Sequence, residues 1–306
     1  MSEYCFEGKL WQSAANQAAM SSFAALEEAY KKQTVLEGIC YMCDAMQNLH
    51  VRLGEYEGII ERNEGALGAE SGQIKDIAFI SKVGKPVQFV ISQIPRKGEE
   101  GCLQLSRKAV QQRCRQEYIA ALRAGDVIPV KVTHLERFGA FVDIGAGINS
   151  LIPIDMLSVS RIAHPSQRVS EGEQLHCAVR SKAGGKSTLS LRELLGTWEE
   201  NAARFEAGQT VKGIVRSVES YGIFIELTPN LAGLAEYSEA VEPSQAVSVY
   251  IKSIIPEKMK IKLSLIDVLE QAEKAPLQRF FTGKHMDYWR YSPEICSKRI
   301  ETIFED

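Results

Sequence analysis

The chain has 306 residues, of which 45% are hydrophobic and 25% charged, and this composition is typical of a soluble globular protein with room for two or three domains. A formal net charge of −3 excludes a uniformly basic surface, so any contact with nucleic acid must rest on local clusters of cations. The first residues lack the order of a secretory signal, and no apolar run approaches the roughly 20 residues that span a bilayer. We therefore expect a cytoplasmic protein that does not contact a membrane.

The seven cysteines are an odd number and are scattered along the chain, which fits a reducing compartment better than a disulfide framework. Cys40 and Cys43 have the C-x-x-C spacing of a metal or redox pair, but no second cysteine pair and no histidine cluster accompanies them. We interpret both as small apolar side chains of a strand, and we expect no metal and no cofactor.

The N-terminal part of the chain predicts helices and then strands. Residues 1–32 form the predicted helical segment, in which Phe23, Leu26 and Tyr30 have helical spacing. Residues 33–106 form the first copy of a repeat, stretched by a glycine-rich insertion and therefore degenerate. Its five predicted strands lie at residues 35–45, 49–53, 56–60, 87–94 and 102–106.

Two further copies follow, each preceded by a helix. Residues 107–124 predict a helical linker, and residues 125–192 contain the second copy. Residues 193–207 predict a second linker, in which Thr197 and Glu200 have the spacing of a capping box. The predicted strands of the second copy lie at residues 127–135, 137–144, 150–153, 174–180 and 188–191.

Residues 208–268 contain the third copy, and the tail that follows departs from the repeat. In the tail, residues 269–306, Ser292 followed by Pro293 predicts the start of a short helix. Five short strands in about 70 residues, broken by glycine turns, predict a small closed barrel for each copy. The predicted strands of the third copy lie at residues 210–218, 222–227, 233–235, 247–255 and 260–264.

Two similar segments carry aromatic residues on strands, RFGAFVDIG at residues 137–145 and SYGIFIELT at residues 220–228. Side chains on a strand alternate between its two faces. In the first segment Ala140, Val142 and Ile144 therefore form the inner face, and Phe141 points outward beside Asp143.

The second segment has the same parity. Ile223 and Ile225 form the inner face, so Phe224 lies outside together with Glu226. In both segments another ring stands three positions earlier, next to a glycine that lets a ligand approach the backbone. These earlier rings are Phe138 and Tyr221.

Lysines accompany the rings. Strand parity turns Lys260 and Lys262 outward on the last strand of the third copy, with Lys258 close by, while Lys182 and Lys186 precede the last strand of the second copy. Exposed rings beside lysines form a platform on which unpaired bases stack, and each stacked base contributes about 1 to 3 kcal/mol. In the alternative interpretation, the rings cover a barrel end or a neighbouring domain.

The second and third copies resemble the S1 (S-one) domain family, the OB-fold RNA-binding repeat named after the largest protein of the bacterial small ribosomal subunit. The opening segments GDVIPVKVTHLERFGAFVDIGAG and GQTVKGIVRSVESYGIFIEL carry the resemblance. LEEAYKKQTVLEGI, LSRKAV and HPSQRVSEGE resemble the segments that connect consecutive central domains of ribosomal S1 proteins. The resemblance covers roughly residues 22–268 and implies a mostly β chain with helical connectors, built from tandem five-stranded OB-fold barrels.

This resemblance implies that the four outward rings are stacking residues and that Lys186 and Lys260 lie near a basic contact of the family. The chain departs from the family after the third strand of each copy, where Pro153 and Glu236 stand in place of a histidine that is frequent in the family. The resemblance also implies binding of single-stranded RNA, and docking to the small ribosomal subunit through the N-terminal helix and the first domain. The complete set of predicted RNA-binding residues is Phe138, Phe141, Lys182, Lys186, Tyr221, Phe224, Lys258, Lys260 and Lys262.

In that first domain Gln47 and His50 occupy the aromatic positions, so we do not expect it to bind RNA by stacking.

Three functions are open at this point. The first is a single-stranded RNA (mRNA) binding protein that assists translation without catalysis. The second is a protein-interaction scaffold or post-transcriptional regulator with weak RNA affinity, which the net acidity, Pro153 and Glu236 favour. The third is an enzyme that uses His285 and Asp287 of the tail as acid and base. No nucleophile, metal spacing or phosphate loop accompanies that pair in the sequence, so we expect no catalysis.

Overall fold

The computed structural model describes residues 4–72, 74–95, 101–183, 186–270 and 277–305, and it describes Ala183 and Lys186 by their backbone only. These residues form three closed barrels of five strands each, which we call barrels 1, 2 and 3 in chain order. The predicted fold class, mostly β with helical connectors and tandem five-stranded barrels, is confirmed. Within the described ranges, no helix is both long enough and apolar enough to cross a membrane.

Barrel 1 follows two N-terminal helices, α1 (Ala14–Ala19) and α2 (Phe23–Lys32). Each helix begins at a serine whose hydroxyl accepts a backbone N–H three residues later, Ser13 for α1 and Ser22 for α2. A short helix, α3 (Ile77–Ile80), lies between its third and fourth strands. The strands of barrel 1 are β1 (Leu36–Cys43), β2 (Leu49–Leu53), β3 (Tyr56–Ile60), β4 (Pro86–Gln93) and β5 (Leu103–Ser106).

Around barrel 1 the strands run in the order β1-β2-β3-β5-β4, and β3 pairs with β5 in parallel. Cys40 lies in the barrel interior, fully buried, and burial raises the pKa of its thiol to about 11. Cys43 is half-buried, and both cysteines are free thiols.

Barrel 2 follows α4 (Arg107–Arg113) and repeats the same strand order. The helix predicted over residues 107–124 is regular only as far as Arg113 and continues as one π-helical and one 3₁₀ turn. These turns align residues five and three apart, so Cys114, Ile119 and Leu122 all become buried. The strands of barrel 2 are β6 (Val127–Glu136), β7 (Gly139–Asp143), β8 (Asn149–Pro153), β9 (Gln174–Ala183) and β10 (Lys186–Ser190).

Barrel 3 follows α5 (Trp198–Ala202), whose start is the predicted capping box. The Thr197 hydroxyl accepts the N–H of Glu200 at 3.1 Å, and the Glu200 carboxylate accepts the N–H of Thr197 at 2.7 Å. The strands of barrel 3 are β11 (Thr210–Glu219), β12 (Gly222–Thr228), β13 (Leu231–Ala235), β14 (Ala246–Ile255) and β15 (Lys260–Leu269).

The predicted short helix of the tail is wrong. Residues 277–305 instead contain two paired strands, β16 (Tyr288–Arg290) and β17 (Glu301–Ile303). The Ser292 hydroxyl accepts the N–H of Ile300 across this hairpin and does not cap a helix. Trp289 on β16 and Phe304, directly after β17, both enter the core of the second unit described below.

The chain divides into two compact units. The first unit contains Met1–Leu122 with Asp143–Asn149, and its core joins α2 to the interior of barrel 1 through Leu26, Leu36 and Phe89. The second unit contains Arg123–Val142 with Ser150–Asp306. One core cluster of this unit combines the interior of barrel 3 with α5 and the tail.

Candidate nucleic-acid interface

Barrel 3 presents a pair of aromatic rings at the start of β12. Tyr221 and Phe224 meet edge to face, with ring centroids 6.1 Å apart and an interplanar angle of 86°. Tyr221 is 68% exposed, and Phe224 is half-buried. Gly222 between them has φ +147°, and a Cβ there would lie 2.5 Å from the carbonyl oxygen of Ala235. Only glycine therefore allows β13 to lie this close behind the rings.

Barrel 2 presents the same arrangement at the start of β7. Phe138 and Phe141 have centroids 5.9 Å apart and an interplanar angle of 89°, and Phe138 is 55% exposed. A Cβ at Gly139 would collide with the carbonyl oxygen of Ile152 on β8. The two barrels thus build one local geometry from different rings.

The predicted inner faces of both aromatic strands are confirmed. Ala140 and Val142 of barrel 2 are fully buried, and so are Ile223 and Ile225 of barrel 3. The same parity leaves the neighbouring phenylalanine rings on the outer surface.

The predicted solvent exposure of Asp143 and Glu226 is wrong, because each is only 2% exposed. Glu226 accepts hydrogen bonds from the guanidinium groups of Arg168 and Arg216, which cover it. Burial alone would raise the pKa of Glu226, but the two guanidinium groups outweigh burial and lower it.

Asp143 belongs to the first unit and is covered there by backbone. Its carboxylate accepts the N–H groups of Glu7, Gly145 and Gly147 at 2.8 to 3.1 Å. Burial raises the pKa of Asp143 to about 6, and the negative charge of Glu7 adds to the rise. Burial opposes ionisation of Glu7 as well, but Arg107 and Lys82 outweigh it and hold the pKa of Glu7 at about 2.

Strand register brings one lysine of barrel 3 onto the same face as its rings. Phe224 pairs with Leu234 on β13, and Leu234 pairs with Lys262 on β15. Directly paired residues point to the same side of a sheet, and two strand spacings amount to about 10 Å. Lys262 is exposed, as are Lys258 and Lys260 at the start of β15.

Barrel 2 has no lysine at the corresponding place. Leu151 on β8 pairs with Thr188 on β10, as Leu234 pairs with Lys262 in barrel 3. Lys182 is exposed and pairs with Ser187 near the β9–β10 turn. The backbone of Lys186 begins β10, but its side chain lies outside the described residues.

Barrel 1 carries a histidine in place of the second ring and has no lysine at these positions. The His50 ring meets Tyr41 of β1 edge to face, with ring centroids 6.1 Å apart. His50, Ile59 and Gln104 follow one another across β2, β3 and β5, where barrel 3 has Phe224, Leu234 and Lys262. The His50 ring lies 3.3 Å from an oxygen of Asp44.

The tail residues that could have served an enzyme attach the tail to barrel 2. His285 Nδ1 lies 2.7 Å from Asp126 Oδ1, and its Nε2 lies 3.1 Å from Asp287 Oδ1. Hydrogen bonds to Asp126 and Asp287 raise the pKa of His285. On either side, Met286 donates its N–H to the Gly125 carbonyl, and Lys284 accepts the N–H of Val127.

Sequence reasoning missed Arg168 and Arg216 as partners of Glu226. No local spacing indicates these contacts, because Arg168 lies 58 positions before Glu226 and in another barrel. The sequence contains only a weak signal for these contacts. Glu226 lies on the same strand face as Phe224, and Arg168 lies in the HPSQRVSEGE loop.

Comparison with known proteins agrees with this architecture. Residues 121–180 match the family model of the S1 RNA binding domain. The chain is 31% identical over 215 residues to the small ribosomal subunit protein bS1 homolog of Bacillus subtilis, which covers 64% of this chain and 55% of that protein. It is 34% identical over 179 residues to bS1 of Staphylococcus saprophyticus, covering 53% of this chain and 45% of that protein. The chain therefore spans about half the length of the curated relatives it matches.

Among solved structures, a multidomain protein with nucleic acid binding domains from Streptococcus pneumoniae is similar over 77% of this chain and 74% of its own, at 16% identity and a TM-score of 0.25. The family match and the bS1 relatives, together with the three five-stranded barrels, give the assignment. Residues 121–180 are an S1 RNA-binding domain, and the chain is similar in sequence to bS1 ribosomal proteins.

Proposed function

We propose that the protein binds single-stranded RNA by stacking unpaired bases on the ring pairs of barrels 2 and 3. The observation that carries this proposal is the repeated edge-to-face pair at the start of β7 and of β12. An edge-to-face pair cannot close both ring faces, so at least one face remains open to a flat ligand. Unpaired bases supply such a ligand, and each stacked base contributes about 1 to 3 kcal/mol.

Charge complementarity favours RNA over an uncharged aromatic ligand on barrel 3. Lys262 lies in the same row as Phe224, and Lys258 and Lys260 are exposed nearby. Cations beside a stacking surface neutralise the phosphates of a single strand. Binding by this face requires no chemical step, and the proposal includes no catalysis.

The bS1 relatives are ribosomal proteins, so we place the proposed RNA binding in translation, in the cytoplasm, with mRNA as the ligand. Barrel 1 and the N-terminal helices are the proposed contact with the small ribosomal subunit. Large apolar side chains that are 42 to 75% exposed on barrel 1 support a protein-binding role for it. These side chains are Met42, Met46, Ile77 and Ile80.

The double variant Phe141→Ala with Phe224→Ala tests the proposal. Loss of one stacked base in each barrel should weaken binding of an unstructured oligonucleotide by about 2 to 6 kcal/mol in a filter-binding assay. The matched control is Phe23→Ala with Tyr30→Ala, which removes two α2 rings that are 38% and 37% exposed. Equal affinity of the double variant and the unmodified protein would refute the proposal.

A protein-interaction scaffold with weak RNA affinity is the second candidate. The replacement of the second ring by His50 and the absence of a lysine from the described strands of barrel 1, together with its exposed apolar side chains, favour it. Cosedimentation with small ribosomal subunits before and after a high-salt wash, combined with oligonucleotide binding at low salt, separates the two candidates. A salt-resistant complex with no measurable affinity for unstructured RNA would select the scaffold.

A further inference from the structure

Barrels 2 and 3 share a buried ion cluster inside the second unit. Arg168, in the loop between β8 and β9, donates from Nη1 and Nη2 to the two carboxylate oxygens of Glu226 on β12, at 2.9 and 2.8 Å. Both side chains are fully buried. Arg216 of β11 donates to the same two oxygens at 2.8 and 2.9 Å. One carboxylate therefore receives one arginine from its own barrel and one from the preceding barrel.

The side chain and the backbone of Arg168 are both held by further hydrogen bonds. Its Nε donates to the Ser158 hydroxyl at 3.1 Å, and its backbone N–H closes a 3₁₀ turn that begins at Pro165. A bidentate pair between a guanidinium and a carboxylate is planar and tolerates little rotation. The pair therefore fixes both the distance and the angle between the loop and β12.

A second set of contacts joins barrel 3 to the connector before it. Asn230, fully buried in the β12–β13 loop, donates to the carbonyl oxygens of Arg192 and Gly196 and accepts the N–H of Val159. The Thr228 hydroxyl donates to Asn201 of α5 at 2.7 Å. These bonds hold the far end of β12.

The ring pair of barrel 3 is on the strand that these contacts hold. Glu226 is two positions after Phe224, so both side chains leave β12 on the same face. Breaking a buried ion pair is costly, because the remaining charge is left without its partner in a poorly solvated site. Any movement of β12 relative to the β8–β9 loop of barrel 2 would have to break this pair.

We propose that Arg168 is a positioning residue that fixes the separation of the two ring pairs, so that the preferred ligand is one RNA strand with two unpaired segments at a defined spacing. This inference rests on the proposed function. Two sites on a flexible tether accept a wide range of spacings, since the effective concentration falls slowly with linker length. Two sites held at a fixed separation give the highest affinity when the two RNA segments have the matching spacing. The affinity falls when the spacing is shorter or longer.

The test uses the full chain and RNAs in which two oligouridine blocks are joined by abasic spacers of increasing length, with affinity measured by fluorescence anisotropy. The unmodified protein should show a narrow maximum. Arg168→Met should flatten the profile and lower the affinity at the best spacing by about tenfold or more, because only the gain from linking the sites is lost. Its affinity for a single block should not change, since no residue that contacts a base is altered.

Arg216→Met is the matched control. It removes the other arginine from the same carboxylate, but leaves the bridge between barrels 2 and 3 intact. If the cluster had only a structural role, both variants would show the same dependence of affinity on spacer length. A narrow profile for Arg216→Met and a flat one for Arg168→Met would support the inference.

Each remaining outcome counts against one claim. If single blocks bind but the unmodified protein shows a flat dependence of affinity on spacer length, the positioning role is refuted and the stacking proposal is not. The same conclusion follows if Arg168→Met keeps the narrow maximum. If neither single nor joined blocks bind, the proposed function fails first. If Arg168→Met does not fold, Arg168→Lys keeps the cation and loses the bidentate geometry, so a broader profile supports the role and an unchanged one overturns it.

Discussion

Barrels 2 and 3 carry nearly identical ring pairs but different charges around them. The ring centroids are 5.9 and 6.1 Å apart, and both pairs are almost perpendicular. On the neighbouring strand, however, barrel 3 has Lys262 where barrel 2 has Thr188. The turn, the glycine and the strand pairing set the ring geometry, whereas a single surface position sets the charge beside it. Under the proposed function, we therefore expect the two barrels to differ in affinity for RNA although their ring geometry is the same.

The carboxylates that follow the ring pairs differ even more. Glu226 lies between Arg168 and Arg216, and these two cations lower its pKa. Asp143 holds the corresponding place in barrel 2, but burial and the nearby Glu7 raise its pKa to about 6. Equivalent positions of the repeat thus contain one stabilised and one destabilised negative charge.

The largest expected effect comes from neutralising these two carboxylates. Glu226→Gln leaves two guanidinium groups against a neutral amide, and we expect it to lower the free energy of unfolding of the second unit by about 3 to 5 kcal/mol. Asp143→Asn relieves repulsion with Glu7 and should cost the first unit only about 1 to 2 kcal/mol, for one lost N–H acceptor. Urea titration followed by hydrogen exchange of peptides from each unit measures both. Equal losses would show that the contrast in local charge is unimportant.

Exchanging Lys262 and Thr188 should have a smaller effect. In a Phe141→Ala background, which leaves barrel 3 as the stacking site, Lys262→Thr should reduce the salt slope of RNA binding by about 0.7. In a Phe224→Ala background, Thr188→Lys should increase the slope of barrel 2 by a similar amount. Affinity measured at several salt concentrations gives the slopes. Slopes that stay constant would mean that these positions do not contact phosphate.

The smallest expected effect concerns the tail, which contacts the first strand of barrel 2 through His285 and Asp126. The pKa of His285 is raised, so its stabilising charge is fully present below the unfolded value of about 6.5 and is lost as the pH rises through the folded value. Hydrogen exchange of the Met286 amide should therefore quicken as the pH rises above about 6.5, beyond the intrinsic increase. The effect is small because His285 is partly exposed. His285→Gln should remove this pH dependence, and a variant that kept it would point to another group.

The sequence was sufficient for the strands, the capping box and the direction of the rings, because each depends on local alternation or spacing. It was not sufficient for the environment of Asp143 and Glu226. Parity tells which face a side chain occupies, but not what packs against that face. The prediction of a helix in the tail was wrong for a related reason. Ser292 and Pro293 have the local pattern of a helix start, but the structure of the tail depends on the strand pairing between Trp289 and Thr302.

The shared core of the second unit also bears on its cooperativity. Trp198 of α5 donates its N–H to the carbonyl of Tyr291, and the Tyr291 hydroxyl donates to the carbonyl of Asn230 in barrel 3. Arg180 of barrel 2 stacks on Phe304 of the tail, with its guanidinium 5.8 Å from the ring centroid. We therefore expect the parts of barrel 2 that lie in this unit, barrel 3 and the tail to unfold together in one thermal transition, although the sequence shows two repeats there.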